Sequence, residues 1–160
     1  MRNLKGTVAW ITGAGTGIGE GAAIALAREG VNVILTGRRI APLNKVVDKI
    51  KNSDGSVEIA QGDAMDRSGM KDVAAGIKKK YGKLDLLFNN HGINVTNRNW
   101  GGGNLEGWDE VIDVNIKGAY NCAYAALEVM RPQGEGTIIT TSSKAGVGYS
   151  PRAGVAYGAS

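Results

Sequence analysis

Three glycines near the start of the chain constrain its fold more than any other feature. Gly13, Gly17 and Gly19 stand between an apolar, β-branched run at residues 7–12 and a segment at residues 18–29 with apolar residues at helical spacing. An apolar run without polar alternation predicts a strand that is covered on both faces, as in a parallel sheet. The chain therefore opens with a strand, a glycine-rich turn and a helix.

The rest of the chain alternates strand and helix patterns. We predict strands at residues 7–12, 31–36, 57–60, 84–88 and 137–141, helices at 18–29, 39–51, 70–81 and 105–130, and a further helix starting near Val155. Parallel neighbours need a crossover connection, which a helix supplies, and right-handed crossovers place helices on both faces of the sheet. The sequence thus predicts a single α/β domain over residues 1–160, a doubly wound parallel sheet of the Rossmann type.

Composition argues against several classes of protein. The 160 residues carry a net charge of +4, and no apolar stretch approaches the length of a membrane span. One cysteine, Cys122, allows no disulfide, and one histidine, His91, without a cysteine cluster argues against a metal site. The residues after Met1 lead directly into the first strand without a signal peptide. We therefore expect a cytoplasmic protein that binds neither nucleic acid nor membrane.

The glycine spacing predicts a dinucleotide site. In the setting of a strand before the loop and a helix after it, Gly13 permits the tight turn and Gly17 lets the backbone approach a pyrophosphate. Gly19 lets the helix pack closely against the strand. The unpaired N–H groups at the start of the helix would then face the phosphates.

The end of the second strand bears on the choice of dinucleotide. NAD enzymes place a carboxylate there to bind the ribose 2′-hydroxyl, whereas residues 36–39 of this chain read Thr-Gly-Arg-Arg. A carboxylate would repel a 2′-phosphate, while the guanidinium of Arg38 can bind it through two hydrogen bonds. The sequence favours NADP(H), with NAD(H) as the alternative. In the structural alternative, Arg38 and Arg39 are solvated residues at the start of a helix.

Five segments together resemble the classical short-chain dehydrogenase/reductase family. They are the glycine loop at residues 12–19, Asn-Asn-His-Gly at 89–92, Asn115, Ser-Ser-Lys-Ala-Gly at 142–146, and Tyr-Gly-Ala-Ser at 157–160. They occur in the family's order and at family-like intervals over the whole chain. The resemblance implies hydride transfer between NADP(H) and a small-molecule alcohol or ketone, in a protein that forms a homodimer or homotetramer.

The resemblance also implies roles for individual residues. Tyr157 resembles the catalytic acid/base, Ser143 rather than Ser142 the residue that positions the substrate carbonyl, and Asn115 the anchor of a catalytic water. The implied cofactor contacts are Gly13, Thr16, Gly17, Ile18, Gly19, Arg38, Asp63, Ala64, Asn90 and Gly92. A purely structural role is the alternative for Ser142 and for Asn115.

Two departures from the family pattern bear on function. A tyrosine that donates a proton near neutral pH needs a nearby cation, which the family supplies as a lysine four residues later, one helical turn on. That position would be 161, and the sequence ends at Ser160. The resemblance therefore implies a fold truncated after the fifth strand and poor catalysis by these residues alone, with a non-catalytic dinucleotide-binding module as the alternative function. His91 replaces the family's alanine, as either a packed or a substrate-facing imidazole.

The predicted loop at residues 94–103 borders the expected active site. Its Arg98 is a candidate for recognising an anionic substrate, and its Trp100 a candidate for covering an apolar one. In the alternative, both side chains are ordinary loop surface. The sequence does not identify the substrate.

Overall fold

The computed structural model of the chain describes residues 4–98, 100–148, 150 and 152–160. Two predictions involve residues outside these ranges: Met1, after which no signal peptide was expected, and Asn99, in the predicted loop at residues 94–103. The strands are β1 (Val8–Thr12), β2 (Asn32–Thr36), β3 (Val57–Ile59), β4 (Leu86–Asn89) and β5 (Thr137–Thr140). The α-helices are α1 (Gly17–Arg28), α2 (Ile40–Ile50), α3 (Arg67–Tyr81), α4 (Leu105–Ile112), α5 (Ala119–Gln133) and α6 (Val155–Ala159). None of these helices is long and apolar enough to cross a bilayer.

All strand pairs of the sheet are parallel, in the order β3-β2-β1-β4-β5. The chain builds outward from β1 to β3, then returns across the sheet to place β4 on the other side of β1. This reversal confirms the predicted doubly wound fold. It also leaves a crevice beyond the carboxyl ends of β1 and β4, because the crossover helices leave these two strands on opposite faces.

The continuous apolar sequence of β1 follows from helices on both faces of the sheet. Val8 and Trp10 belong to one buried cluster, which includes residues of α3 and α5. Ala9 and Ile11 belong to the other, which includes residues of α1 and α2. All five residues of β1 are buried. A strand with solvent on one face would instead alternate apolar and polar residues.

The prediction of one uninterrupted α-helix over residues 105–130 is wrong. A π-helical segment, Asp113–Gly118, separates α4 from α5, and α5 continues past Pro132 to Gln133. A π-helical segment inserts one extra residue into the turn, so it shifts the faces of the two α-helices relative to each other. Asn115 lies within this segment, so the direction of its side chain depends on the π-helical backbone.

β5 is less protected than the other strands. It pairs with β4 along one edge, and all four of its residues are exposed among the described residues. Ile138 and Ile139 are 36% and 48% exposed. An apolar strand with this much exposure is a potential site of pairing with another chain.

Two glycines of α3 give a paired test of backbone conformation. Gly82 caps the helix at φ +74°, whereas Gly76 lies inside it, and a Cβ at either position would meet no atom within 4 Å. We expect Gly82→Ala to lower the free energy of unfolding by about 1–2 kcal/mol, because L side chains disfavour the left-handed conformation. Gly76→Ala should raise it by about 0.5–1 kcal/mol, because alanine loses less backbone entropy in a helix. Urea unfolding measures both changes, and two changes of the same sign would contradict this interpretation.

Candidate active site

Two grooves meet at the crevice beyond β1 and β4. The β2-side groove is lined by residues of the glycine loop, the end of β2 and the segment after β3. The β5-side groove is lined by the segment after β4, the π-helical segment, the end of β5 and α6. His91, Gly92 and Ile93 line both. The two grooves are therefore adjacent along the carboxyl edge of the sheet, and we call the adjoining pair the channel.

Most of the predicted site residues lie along this channel. Gly13, Thr16, Arg38, Asp63, Ala64 and Gly92 line the β2-side groove. Ile18, Asn90, Gly92, Asn115, Ser143 and Tyr157 line the β5-side groove. The two remaining predicted residues, Gly17 and Gly19, lie in the first turn of α1 and do not line either groove. The fold thus brings together residues from seven separate parts of the sequence.

Each glycine of the loop has a different steric reason to be glycine. Gly13 has φ +60°, and a Cβ there would lie 2.8 Å from the Cα of His91. A Cβ at Gly19 would overlap the carbonyl oxygen of Gly13. Gly17 has φ +59° and faces open space, with no atom within 4 Å of a Cβ position. The first two glycines allow tight internal packing, while Gly17 leaves the backbone accessible from outside.

The start of α1 can receive an anion. Its N-cap residue, Thr16, makes no side-chain capping hydrogen bond. The first N–H groups of an α-helix have no partner inside the helix, and the helix dipole adds a partial positive charge there. Ile18, in the first turn, is 65% exposed beside these N–H groups. A phosphate at this place would supply the missing acceptors.

The β2 end of the channel is rich in arginine. Arg38 and Arg39 both line the β2-side groove, and the sequence analysis assigned a role only to Arg38. Asp63 is the one carboxylate among the described residues that line this groove. Its Oδ1 accepts a hydrogen bond from the Met65 N–H at 2.9 Å. The carboxylate therefore stabilises the turn after β3, and no carboxylate stands at the end of β2.

The Thr12 hydroxyl connects β1 to the segment after β4, a role that the sequence analysis missed. Its oxygen accepts the N–H groups of Asn90 at 3.0 Å and His91 at 3.3 Å. It also lies 2.8 Å from Nδ1 of His91. The sequence signal that could have indicated this role is the position of Thr12, a polar residue at the end of an otherwise apolar strand.

His91 is a packed imidazole that also borders the channel. Its Nε2 is buried without a hydrogen-bond partner of good geometry, against Gly118, where a Cβ would lie 2.7 Å away. The Thr12 hydroxyl accepts two N–H groups and lies 3.3 Å from Oδ1 of Asn89 and 2.8 Å from Nδ1 of His91, so the tautomer of the ring decides which of these two atoms receives its proton. Burial lowers the pKa of His91, while the Val114 carbonyl and the Asp63 charge oppose this shift. The imidazole thus fills space that a family alanine would leave open.

The Asn115 side chain fixes the segment after β4. Its Oδ1 accepts the Ile93 N–H at 2.8 Å, and its Nδ2 donates to the Ile93 carbonyl at 3.0 Å. Nδ2 also lies 2.9 Å from the hydroxyl of Ser160, after α6. Asn115 therefore links three elements that line the β5-side groove.

Asn90 uses its side chain for internal bonds. Its Nδ2 donates to the Gly13 carbonyl at 3.4 Å, and its Oδ1 accepts the Thr141 hydroxyl at 2.9 Å. These bonds join the glycine loop to the end of β5. Asn90 thus sets the spacing between two walls of the channel.

Ser143 and Tyr157 face the same groove from different elements. Ser143 precedes a 3-10 turn, Lys144–Gly146, and its Oγ accepts the Ala145 N–H at 3.2 Å. This bond leaves the Ser143 hydroxyl proton available for a ligand. Tyr157 lies in α6, and Ser142 also lines the groove. Ser143 and Tyr157 thus contribute to the lining of one groove from separate elements.

The loop after β4 packs against the segment before α6. Asn94 Nδ2 donates to the Ala153 carbonyl at 2.9 Å. Gly154 has φ +82°, and a Cβ there would lie 2.5 Å from Cβ of Arg98. Arg98 is therefore a packing residue of this joint. Trp100 instead contacts Trp108 edge to face, with ring centroids 5.3 Å apart.

Cys122 lies outside the channel and has the inert character that its apolar surroundings predict. It is fully buried in α5, and burial raises the pKa of its thiol to about 12. Among the described residues, no three His, Cys, Asp or Glu side chains are grouped as metal ligands would be.

Comparison with known proteins agrees with this geometry. A family model described as short chain dehydrogenase matches residues 7–160. An uncharacterized oxidoreductase of Listeria innocua is 40% identical over 156 residues, covering 98% of this chain and 62% of that protein. The 3-oxoacyl-acyl-carrier-protein reductase of Thermotoga maritima is 34% identical over 153 residues, covering 92% and 60%. The solved structure of NAD⁺-bound xylitol dehydrogenase has a TM-score of 0.94 at 27% identity, covering 99% of this chain and 60% of that one.

These relatives are longer than the present chain. The chain spans about three fifths of the length of the proteins named here, with 62% of the Listeria oxidoreductase covered. The matched part contains both grooves of the channel.

The burial of His91 predicts how stability depends on pH. Because its folded pKa lies below the ordinary histidine value of 6.5, the unfolded chain takes up a proton first as the pH falls. The stability tied to the neutral imidazole is fully present above pH 6.5 and is lost as the pH falls through the lowered folded pKa. His91→Gln should remove this loss, and the chain has no other histidine to replace it.

Urea unfolding at about pH 7.5 and about pH 5.5, on either side of the ordinary histidine pKa, tests this expectation. The unaltered chain should lose more of its free energy of unfolding between these conditions than His91→Gln does. Equal losses in the two proteins would show that His91 does not titrate on unfolding.

Proposed function

Because the chain belongs to the classical short-chain dehydrogenase/reductase family, we propose that it is the cofactor-binding and catalytic part of an NADP(H)-dependent oxidoreductase. Its substrates are an alcohol and the corresponding ketone. The observation that carries this proposal is the channel, whose adjoining grooves are lined by residues of the glycine loop and by Ser143 and Tyr157. The homo-oligomeric state and the cytoplasmic location stay predictions.

The residues of the channel fit a dinucleotide. Gly17 has free space where a side chain would obstruct a pyrophosphate, and the uncapped start of α1 offers N–H donors. Asp63 and Ala64 line the β2-side groove where the adenine would lie. Gly92 and Ile93, at the junction of the grooves, would contact the middle of the bound molecule.

The β2 end of the channel supports a preference for NADP(H). Arg38 and Arg39 line the groove there, and no carboxylate stands at the end of β2 to repel a 2′-phosphate. A guanidinium matches a phosphate through paired N–H donors in one plane. Arg38 is the first of the two after the strand, and Gly37 before it leaves room for the phosphate.

Catalysis requires a proton donor and a fixed carbonyl. When bound, the dinucleotide supplies the hydride for the carbonyl carbon. The Tyr157 hydroxyl donates its proton to the carbonyl oxygen and becomes a phenolate, and in the reverse direction the phenolate accepts the alcohol proton. The Ser143 hydroxyl donates a hydrogen bond to the same oxygen, because its own oxygen is already used by the Ala145 N–H. Asn115 holds Ile93, and thereby the floor of the groove, and is the proposed anchor of a water.

Tyr157→Phe tests the proton donor. It should lower kcat by about a hundredfold or more, because general acid catalysis by the hydroxyl is lost. NADPH affinity should stay nearly unchanged, because the ring still fills its place in α6. The complete protein encoded by the gene is assayed for NADPH oxidation with a panel of ketones, and NADPH binding is followed by fluorescence. Full turnover by the variant would refute this role of Tyr157.

Arg38→Ala tests the cofactor preference. Loss of the guanidinium should weaken NADPH binding by about tenfold to a hundredfold, because a charge-assisted bond to the 2′-phosphate is lost. NADH lacks this phosphate, so its affinity should change little. Calorimetric titration with both cofactors measures the difference, and Arg28→Ala, at the exposed end of α1, is the matched control. Equal weakening for both cofactors would contradict the assignment of Arg38.

A further inference from the structure

A second cavity adjoins the β5-side groove at Ser143 and Tyr157. Both residues line the β5-side groove, and both also line a cavity of about 790 Å³ that faces the segment before α6. We call this second space the loop cavity; Val147 and Arg152 also line it. Its volume lies in the range of small-molecule sites. Ser143 and Tyr157 thus line both the β5-side groove and a second space that is large enough for a substrate.

The loop cavity has an unbalanced charge. Lys144 and Arg152 line it, and none of the described residues lining it or the β5-side groove is an Asp or Glu. Neither Lys144 nor Arg152 belongs to an ion pair among the described residues. Two cations without a nearby carboxylate produce a positive potential that attracts anions and repels cationic compounds.

Arg152 is better placed than Arg98 to bind an anion. Arg98 packs on Gly154 through its Cβ and carbonyl oxygen and does not line the loop cavity. Arg152 is exposed and lines the same cavity as Tyr157, five positions before it in the chain. Arg98 was the candidate that the sequence offered for binding an anionic substrate, because the loop after β4 was expected to border the site.

The rest of the lining favours a small apolar body. Val147 is 88% exposed, and Ala145 and Ala153 also contribute to the wall. An exposed apolar side chain at the mouth of a cavity is a common feature of ligand sites. The lining of the loop cavity thus combines apolar side chains with hydroxyl-bearing residues and the two cations.

We propose that the substrate of this channel is a hydroxy acid or oxo acid, whose carboxylate is bound by Arg152. This inference rests on the proposed oxidoreductase function and adds the substrate class. The carbonyl of the oxo acid lies between Ser143 and Tyr157, and the carboxylate reaches into the loop cavity. Arg152 is a specificity-determining residue, because it contacts the part of the substrate that does not react.

The test compares each acid with its neutral analogue in the complete protein. The probes are straight-chain oxo acids and their methyl esters, assayed with NADPH as reductant. The unaltered protein should have the higher kcat/KM for the acids. Arg152→Ala should lower the acid-to-ester ratio of kcat/KM by about tenfold to a hundredfold, because a hydrogen-bonded charge pair is lost. Arg152→Lys should give an intermediate ratio, and Arg131→Ala, exposed near the end of α5, should keep the ratio of the unaltered protein.

A binding measurement separates the two proposals. Calorimetric titration of the oxo acids into the Tyr157→Phe protein with NADPH bound detects the acid without turnover, and the added Arg152→Ala substitution should weaken this binding. A higher kcat/KM for esters, or an unchanged acid-to-ester ratio in Arg152→Ala, overturns the substrate class while the oxidoreductase function stands. Acid binding that depends on Arg152 without NADPH oxidation of any probe supports the acid site and overturns the proposed function. Absence of both acid binding and NADPH oxidation overturns both.

Discussion

The hydroxyl group of Thr12 is the contact on which the channel depends. A single oxygen at the end of β1 accepts two successive backbone N–H groups from the segment after β4 and bonds the ring of His91. These two strands are neighbours in the sheet but diverge beyond it, because their crossover helices lie on opposite faces. Without a shared acceptor, the N–H groups of residues 90 and 91 would lack a partner inside the protein. The hydroxyl thus keeps the two halves of the channel at a fixed separation.

Close packing of backbone atoms supports the same arrangement. The absence of a Cβ at Gly13 lets the segment at His91 approach, and its absence at Gly19 brings the first turn of α1 onto the glycine loop. Asn90 then bonds the loop on one side and the end of β5 on the other. The glycine loop, the segment after β4 and the end of β5 are therefore joined by direct contacts. In the proposed function, donors held in this way need no rearrangement when charge develops on a substrate oxygen.

The sequence predicted those features whose physical cause is local. The glycine loop is an example, since the positive φ of Gly13 and Gly17 and the tight packing at Gly19 leave a direct trace in residue type. The order of the motifs along the chain was also sufficient for the parallel sheet, since parallel strands require helical crossovers.

Features that depend on residues far apart in the sequence could not be predicted in the same way. The bond between Thr12 and His91 spans 79 positions. The π-helical break differs from an α-helix by one residue per turn, which apolar periodicity does not resolve, and Asn115 there bonds Ile93, 22 positions away. The packing of Arg98 is a further example, because its Cβ and carbonyl oxygen lie against Gly154, which is far from it in the sequence.

The strand order β3-β2-β1-β4-β5 also has a consequence for the path of folding. β1, β2 and β3 can pair in the order in which they are synthesised, but β4 must return past two strands to reach β1. The backbone N–H of Val8 is bonded by Asp85, 77 positions later in the chain, and such a loop closure has a large entropic cost. Contacts of this separation slow folding relative to local pairings. The β2 side of the channel is therefore built from contacts that close shorter loops, whereas the wall that contains Ser143 and Tyr157 depends on this long-range pairing.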